Sequence, residues 1–139
     1  MRTLTSLFLL SILVLAPTPG LTAQYVDHNG YRIHYTTFSS MIIPADVAAL
    51  HDIVRAENRI VLNVSGIRNN EPVSLEVNGL VTNLLNQQYD LEFEEVNESE
   101  AIYYLANHLA LEQDILRFSL TVRLEDGDTV PISFLRRYD

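Results

Sequence analysis

The chain has no cysteine and no lysine, because all nine of its basic residues are arginines. Without cysteine it can form no disulfide, thiol nucleophile or thiolate metal site, and without lysine it has no Schiff-base amine. The glycines after residue 23 stand alone, so the chain has no glycine-rich phosphate loop. Its four histidines lack the paired spacing of a zinc site. We therefore predict no cofactor and no metal site.

The charge balance is strongly acidic, with a formal net charge of −9 at pH 7. Nucleic acids and anionic lipids both require a basic face, which this composition does not favour. A high net charge keeps a protein soluble and steers oppositely charged partners towards it. We therefore predict no nucleic-acid partner, and expect any charged partner to be basic.

The first 23 residues are typical of an export signal. Arg2 supplies the positive n-region, and the apolar run from Leu7 to Ala16 is too short to span a bilayer. Helix-breaking residues begin at Pro17, and Ala23 offers a small residue before the cut. The sequence therefore predicts a signal peptide over residues 1–23 and a periplasmic protein with no stable membrane anchor after cleavage.

Residues 24–139 are long enough for one domain that is held by packing alone. From Leu116 to Leu124 the apolar residues alternate with polar ones, as in a half-buried strand. Asp126-Gly127 then predicts a hairpin turn, and Pro131 places the last strand at a sheet edge because proline cannot donate to a ladder. Asn78-Gly79 gives a second hairpin signal.

Similar alternation recurs along the chain and predicts further strands. These strands include Tyr31 to Phe38, Ile60 to Val64, Val73 to Val77, Leu80 to Leu85 and Tyr89 to Phe93. The sequence thus predicts an all-β fold, an antiparallel immunoglobulin-like β-sandwich of about seven strands. One short helix is predicted between the first two of them.

In two segments the apolar residues have the spacing of a helix. Pro44 and Asp46 suit a helix start, and Val47, Leu50 and Val54 then fall on one side of that helix. The segment from Ala101 to Ala110 fits both helix and strand spacing, and its tyrosine pair and flanking strands favour a strand.

The stretch from Tyr31 to Ser65, with the later segments EAIYYLA, LRFSLTV and PISF, resembles a family of small exported gammaproteobacterial proteins. That family is domain of unknown function four-four-two-six. The positions that carry the resemblance are Phe38, Ser40, Pro44, Val47, Ala48, Ile53, Arg55 and Asn63. The family prefers Tyr-Gly where this chain has His51-Asp52, which argues against a role for His51. The resemblance implies an exported domain of no known activity.

The candidate catalytic residues are Ser39 and Ser40, which lie near His34 and His51 in the sequence. A Ser–His site needs a base at hydrogen-bond distance and an oxyanion hole, and the chain has no G-x-S-x-G pattern. Serines at a strand end more often satisfy loop backbone. We therefore assign no catalytic residue and keep a small periplasmic hydrolase at these positions as the alternative.

The candidate binding residues are Arg55, Asp90, Glu92 and Glu94. Strand alternation places the three acids on one exposed face, which could steer a basic partner. Arg55 follows the predicted helix, where it could pair with a carboxylate or bind an anionic ligand. The sequence favours a non-catalytic periplasmic binding or accessory module that uses protein contacts, through this acidic face or a free strand edge.

The leader generates a first prediction. The exported protein should begin near Gln24, because the apolar run is followed by helix breakers and a small residue. N-terminal sequencing of the protein from the periplasm measures this. An intact Met1 on a membrane-bound product would contradict the prediction.

Overall fold

The computed structural model describes residues 24–138, and ten strands in this range form two antiparallel sheets packed face to face. The strands are β1 Gln24–His28, β2 Tyr31–Ser39, β3 Arg59–Arg68, β4 Glu71–Val73, β5 Glu76–Thr82, β6 Gln88–Leu91, β7 Glu94–Asn97, β8 Ile102–Leu109, β9 Asp114–Arg123 and β10 Thr129–Tyr138. A 3-10 turn, Ser40–Ile42, and one helix, α1 Ala45–Leu50, lie between β2 and β3. The predicted export signal lies outside the described residues.

The first sheet has the strand order β1-β2-β3-β8-β7, with β4 paired to β3, and the second has the order β10-β9-β5-β6. Every described pairing is antiparallel. The predicted antiparallel β-sandwich is therefore confirmed. The helix follows the second strand rather than the first, because β1 precedes the segment that the alternation pattern identified.

The core lies between the two sheets and is filled by the inward residues of each strand. The most deeply buried side chains are Ile33, Leu62, Val64, Val81, Leu116, Leu120 and Val122. The apolar positions of β9 face inward at every second residue, as the sequence predicted. Burying each such side chain contributes about 1.5–3 kcal/mol, and this chain has no disulfide to add to that.

Three connections carry the described chain between the sheets: β4 to β5, β6 to β7, and β8 to β9. None of them involves β1, β2 or β10. On that side the sheets meet through side chains, where Asp128 binds His28 at 3.1 Å and Asn29 at 2.9 Å. The rings of Tyr35 and Phe134 also pack there, with centroids 4.8 Å apart.

The two predicted hairpins have different outcomes. Asp126-Gly127 forms the turn between β9 and β10, where Gly127 has a φ of +93°. The hairpin at Asn78-Gly79 is wrong, because both residues lie inside β5. A Cβ on Gly79 would stand 2.5 Å from a methyl group of Leu120, so this glycine permits close packing instead of a turn.

The predicted apolar side of the helix is also wrong. Val47, Leu50 and Val54 are 42%, 77% and 60% exposed. We call residues 40–55, which contain the 3-10 turn and α1, the helical segment. This segment instead buries Ala48 and Ile53 against the outer face of the first sheet. Six residues make less than two turns of helix, so their periodicity is too short to define a face.

The ambiguous segment Ala101 to Ala110 contains strand β8, which supports the strand interpretation. The prediction for Pro131 is likewise confirmed, because β10 is an edge strand of the second sheet. This edge is ten residues long, which leaves an extended row of backbone groups for pairing.

A buried carboxylate joins two loops at one end of the sandwich. Asp114, which is 2% exposed, starts β9. Its Oδ1 accepts the backbone N–H groups of Leu84 and Ile115 at 2.9 and 2.8 Å, and its Oδ2 accepts that of Leu111 at 2.9 Å. The β5–β6 and β8–β9 loops are thereby held on one side chain.

This arrangement predicts a large effect for Asp114→Ala. The variant leaves three backbone donors without their acceptor, each costing about 1–3 kcal/mol, so the free energy of unfolding should fall by roughly 3 kcal/mol or more. Urea denaturation measures the loss. Asp126→Ala is the control, because Asp126 accepts only the Asp128 N–H on an exposed turn. Equal losses in the two variants would contradict the role given to Asp114.

Candidate functional site

Three of the predicted binding residues lie where β6 passes into β7: Asp90 in β6, Glu92 in the connection between the strands, and Glu94 at the start of β7. Leu91 is buried and Phe93 packs against the core, which fixes this connection to the sandwich. Asp90, Glu92 and Glu94 are exposed on its outside. The sequence pattern predicted one continuous strand here, but the strand breaks where the chain changes sheets.

A cleft of about 500 Å³ lies between this connection, the end of the helical segment and β8. Its lining residues are His51, Asp52, Ile53, Asp90, Glu92, Phe93, Glu94, Leu105, Ala106 and Asn107. His51 Nδ1 lies 3.3 Å from Glu94 Oε1 and so links the helical segment to β7. The structure thus brings all three predicted acids into one site and adds His51 and Asp52, which the sequence did not place there.

The charge of this cleft has one sign when His51 is neutral. Four carboxylates line it, and no arginine does. Its apolar walls are formed by Ile53, Phe93 and Leu105. A cleft lined by one charge with low-dielectric walls concentrates the electrostatic field and attracts ions of the opposite sign. We call this site the acidic cleft.

The geometry of the carboxylates bears on what the acidic cleft can hold. Among residues 24–138, no three His, Asp or Glu side chains are grouped closely enough to hold a metal ion. Separated carboxylates can instead each accept hydrogen bonds from a different cationic side chain. The arrangement suits a ligand that carries several positive groups along its length.

The structure does not place Arg55 in the acidic cleft. Its guanidinium is exposed, and Nη2 donates to the carbonyl oxygen of Met41 at 3.1 Å. No carboxylate among residues 24–138 pairs with Arg55, so the pairing alternative is wrong, while the binding of an anionic ligand by Arg55 stays a prediction. Arg55 instead ties the end of the helical segment back to its start.

The four residues of the alternative hydrolase do not assemble in the described part of the chain. Ser40 is fully buried, and its Oγ donates to the Ala56 carbonyl at 2.9 Å and accepts the Ala56 N–H at 3.0 Å. Ser39 Oγ accepts the Met41 N–H at 3.2 Å. His51 contacts Glu94, and the His34 ring packs against another strand. The serines hold the joint between β2 and the helical segment.

Two polar side chains of β8, the buried Tyr104 and the half-buried His108, were not predicted from the sequence. Tyr104 Oη donates to Glu95 and accepts the Leu75 N–H, both at 2.8 Å, and burial raises the pKa of Tyr104. The His108 ring packs against the Tyr89 ring at an interplanar angle of 51°, and partial burial lowers the pKa of His108. Burial therefore disfavours charge on both side chains, and neither of them lines the acidic cleft.

The fold and the cleft define the class of this chain as an antiparallel β-sandwich domain with an acidic cleft where the chain changes sheets. The chain belongs to the family of domain of unknown function DUF4426, whose model matches residues 25–138. This match confirms the resemblance noted in the sequence. No curated protein sequence matches the chain.

Solved structures show the same fold. A DUF4426 family protein from Pseudomonas aeruginosa PAO1 has a TM-score of 0.75 and 28% identity, over 84% of this chain and 94% of that one. Copper-bound variant FetP from uropathogenic Escherichia coli strain F11 has a TM-score of 0.61 and 10% identity, over 85% and 95% of the two chains. FetP as isolated after periplasmic expression has a TM-score of 0.59 and 11% identity, over 86% and 95%. The likeness to FetP is one of fold alone.

None of the helices in residues 24–138 is long and apolar enough to cross a membrane.

The Ser40 geometry predicts a stability effect. Ser40→Ala removes both hydrogen bonds to Ala56 and leaves buried backbone groups without partners, so it should cost about 2 kcal/mol or more of unfolding free energy. Ser39→Ala should cost about 1 kcal/mol, because it removes one cap on the 3-10 turn. Urea denaturation of both variants tests this. A Ser40→Ala variant that is as stable as wild type would contradict the structural role.

Proposed function

We propose that this chain is a non-catalytic periplasmic binding module that acts through protein contacts, and that the acidic cleft binds a basic, extended segment of a partner. The observation that carries the proposal is the convergence of Asp52, Asp90, Glu92 and Glu94 on one cleft. The periplasmic location rests on the predicted leader. The fold shared with FetP, which has been expressed in the periplasm, is compatible with that location.

Arginine and lysine side chains fit the chemistry of this cleft. Their charged ends can donate hydrogen bonds to the carboxylates, while their apolar stems pack along Ile53, Phe93 and Leu105. Arginine would add bidentate contacts to individual carboxylates. Such a ligand uses both the charge and the apolar walls.

A strand edge lies beside the cleft. β7, which contains Glu94, is an edge strand of the first sheet. An extended segment could pair with this edge through its backbone while its basic side chains reach the cleft. Backbone pairing would supply affinity and the carboxylates would supply charge selectivity.

Copper is not part of this proposal, although one FetP structure contains it. The described residues group no three His, Asp or Glu side chains as metal ligands. The hydrolase alternative also lacks support, because the Ser40 hydroxyl is buried and bonded to Ala56.

A labelled peptide in which arginine alternates with valine tests the acidic cleft. It should bind the mature protein at low salt, and Glu92→Gln/Glu94→Gln should weaken binding about tenfold, because each lost charge contact contributes up to about 1 kcal/mol. Fluorescence anisotropy measures the affinity. Binding should also weaken in 1 M salt, where the Debye length falls to about 3 Å.

The matched control is Glu98→Gln/Glu100→Gln. It removes the same charge from exposed residues that do not line the cleft, and it should change the affinity less than about twofold. Equal weakening in both double variants would mean that net charge alone attracts the peptide. No binding at any salt concentration would overturn the proposal.

A further inference from the structure

Exposed apolar side chains gather at one end of the sandwich. β2, β5 and β8 end there, while β3, β6 and β9 begin there, as their antiparallel registers require. Apart from the helix α1 and the residues that follow it, which pack on the outer face of the first sheet, the large apolar residues exposed in or beside the connections at this end are Met41, Ile42, Leu84, Leu85, Leu109 and Leu111. Their exposed fractions run from 36% to 64%. A concentration of this kind is typical of an interaction surface.

Hydrogen bonds hold these connections in place. Asp114 binds the backbone N–H groups of both Leu84 and Leu111, so the two exposed leucines are carried by loops that share one anchor. The Ala110 N–H donates to the Asn58 carbonyl at 2.8 Å, and Asn58 Nδ2 donates back to the Ala110 carbonyl at 3.3 Å. An ordered surface loses little conformational entropy on binding.

A groove of about 510 Å³ opens at this end between the two connections that Asn58 and Ala110 join. Ile60 and Ala110 are buried beneath it, and Leu111 is partly exposed along its side. Glu57 and Glu112 also line the groove, and no arginine does. The groove therefore combines an apolar floor with two carboxylates.

We propose that this end of the sandwich docks an amphipathic protein segment, with an apolar side chain in the groove and flanking Lys or Arg residues beside Glu57 and Glu112. The negative charge of this end favours a basic protein segment over a membrane or a second copy of the chain. An anionic bilayer would be repelled by these carboxylates and by the net charge of −9. Two copies related by a twofold axis would bring the same carboxylates together. This surface is distinct from the acidic cleft, since the two share no lining residue.

The probe for this surface is a labelled peptide with leucine and arginine at helical spacing, and the readout is fluorescence anisotropy with the mature protein. Leu84→Ser/Leu111→Ser keeps the backbone N–H groups that Asp114 binds, so the fold should survive. We expect this variant and Glu57→Gln/Glu112→Gln each to weaken binding about tenfold or more, because burial of one leucine contributes about 1.5–3 kcal/mol.

Two controls separate this surface from the rest of the molecule. Leu135→Ser removes an exposed leucine from β10, and Glu92→Gln/Glu94→Gln removes the same charge from the acidic cleft. Both should change the affinity less than about twofold, and thermal unfolding verifies that all variants fold. The last control also keeps this inference independent of the proposed function.

The outcomes that would overturn the inference are specific. Equal weakening by all the variants, or no binding by any, would show that this end has no special affinity for the peptide. Co-sedimentation with neutral or anionic lipid vesicles that is lost in Leu84→Ser/Leu111→Ser would identify a membrane surface instead. Self-association that is lost in the same variant, measured by sedimentation velocity, would identify a second copy.

Discussion

The sandwich depends on a buried carboxylate that has no cationic partner among the described residues. Asp114 accepts three backbone hydrogen bonds, and through them the β5–β6 and β8–β9 loops meet at a fixed separation. A buried charge is tolerated when several donors compensate for its lost hydration. The same bonds determine where Leu84 and Leu111 stand, so a stabilising contact also defines an exposed surface. Asp114 thus orders the β5–β6 and β8–β9 loops at this end of the molecule, and the Asn58–Ala110 hydrogen bonds add the β2–β3 connection.

The acidic cleft has a comparable origin in the path of the chain. Where β6 passes into β7, Leu91 and Phe93 are held by the core, and the residues between and beside them must face outward. The helical segment packs on the outer face of the first sheet through Ile53, which brings His51 next to Glu94. Core packing thus assembles a charged site without any strong contact among the charged groups themselves. Such a site can be modified without unfolding the domain.

The sequence predicted the features that depend on interactions between neighbouring residues. Alternation identified β9, and Asp126-Gly127 identified its hairpin, because strand faces and tight turns depend on near neighbours in the chain. The prediction of a hairpin at Gly79 was wrong because this position lacks a side chain to make room for Leu120, which is distant in the sequence. The role of Asp114 was not predicted, since one of its partners, Leu84, lies thirty positions away in another loop. The sequence predicted that the three acids are exposed on one face, but it did not predict the cleft, because His51 reaches the cleft only through tertiary packing.

The two sheets are joined by the chain on one side of the sandwich and only by side-chain contacts on the other. All three described crossings lie towards the β3–β8–β7 side, whereas β1, β2 and β10 meet only through contacts such as those of Asp128 with His28 and Asn29. Hydrogen bonds from these two residues lower the pKa of Asp128. Local opening follows the regions with the fewest cooperative contacts. We therefore expect the sandwich to open locally at the first and last strands, and to stay closed at the crossings. Amide hydrogens of the first and last strands should exchange first.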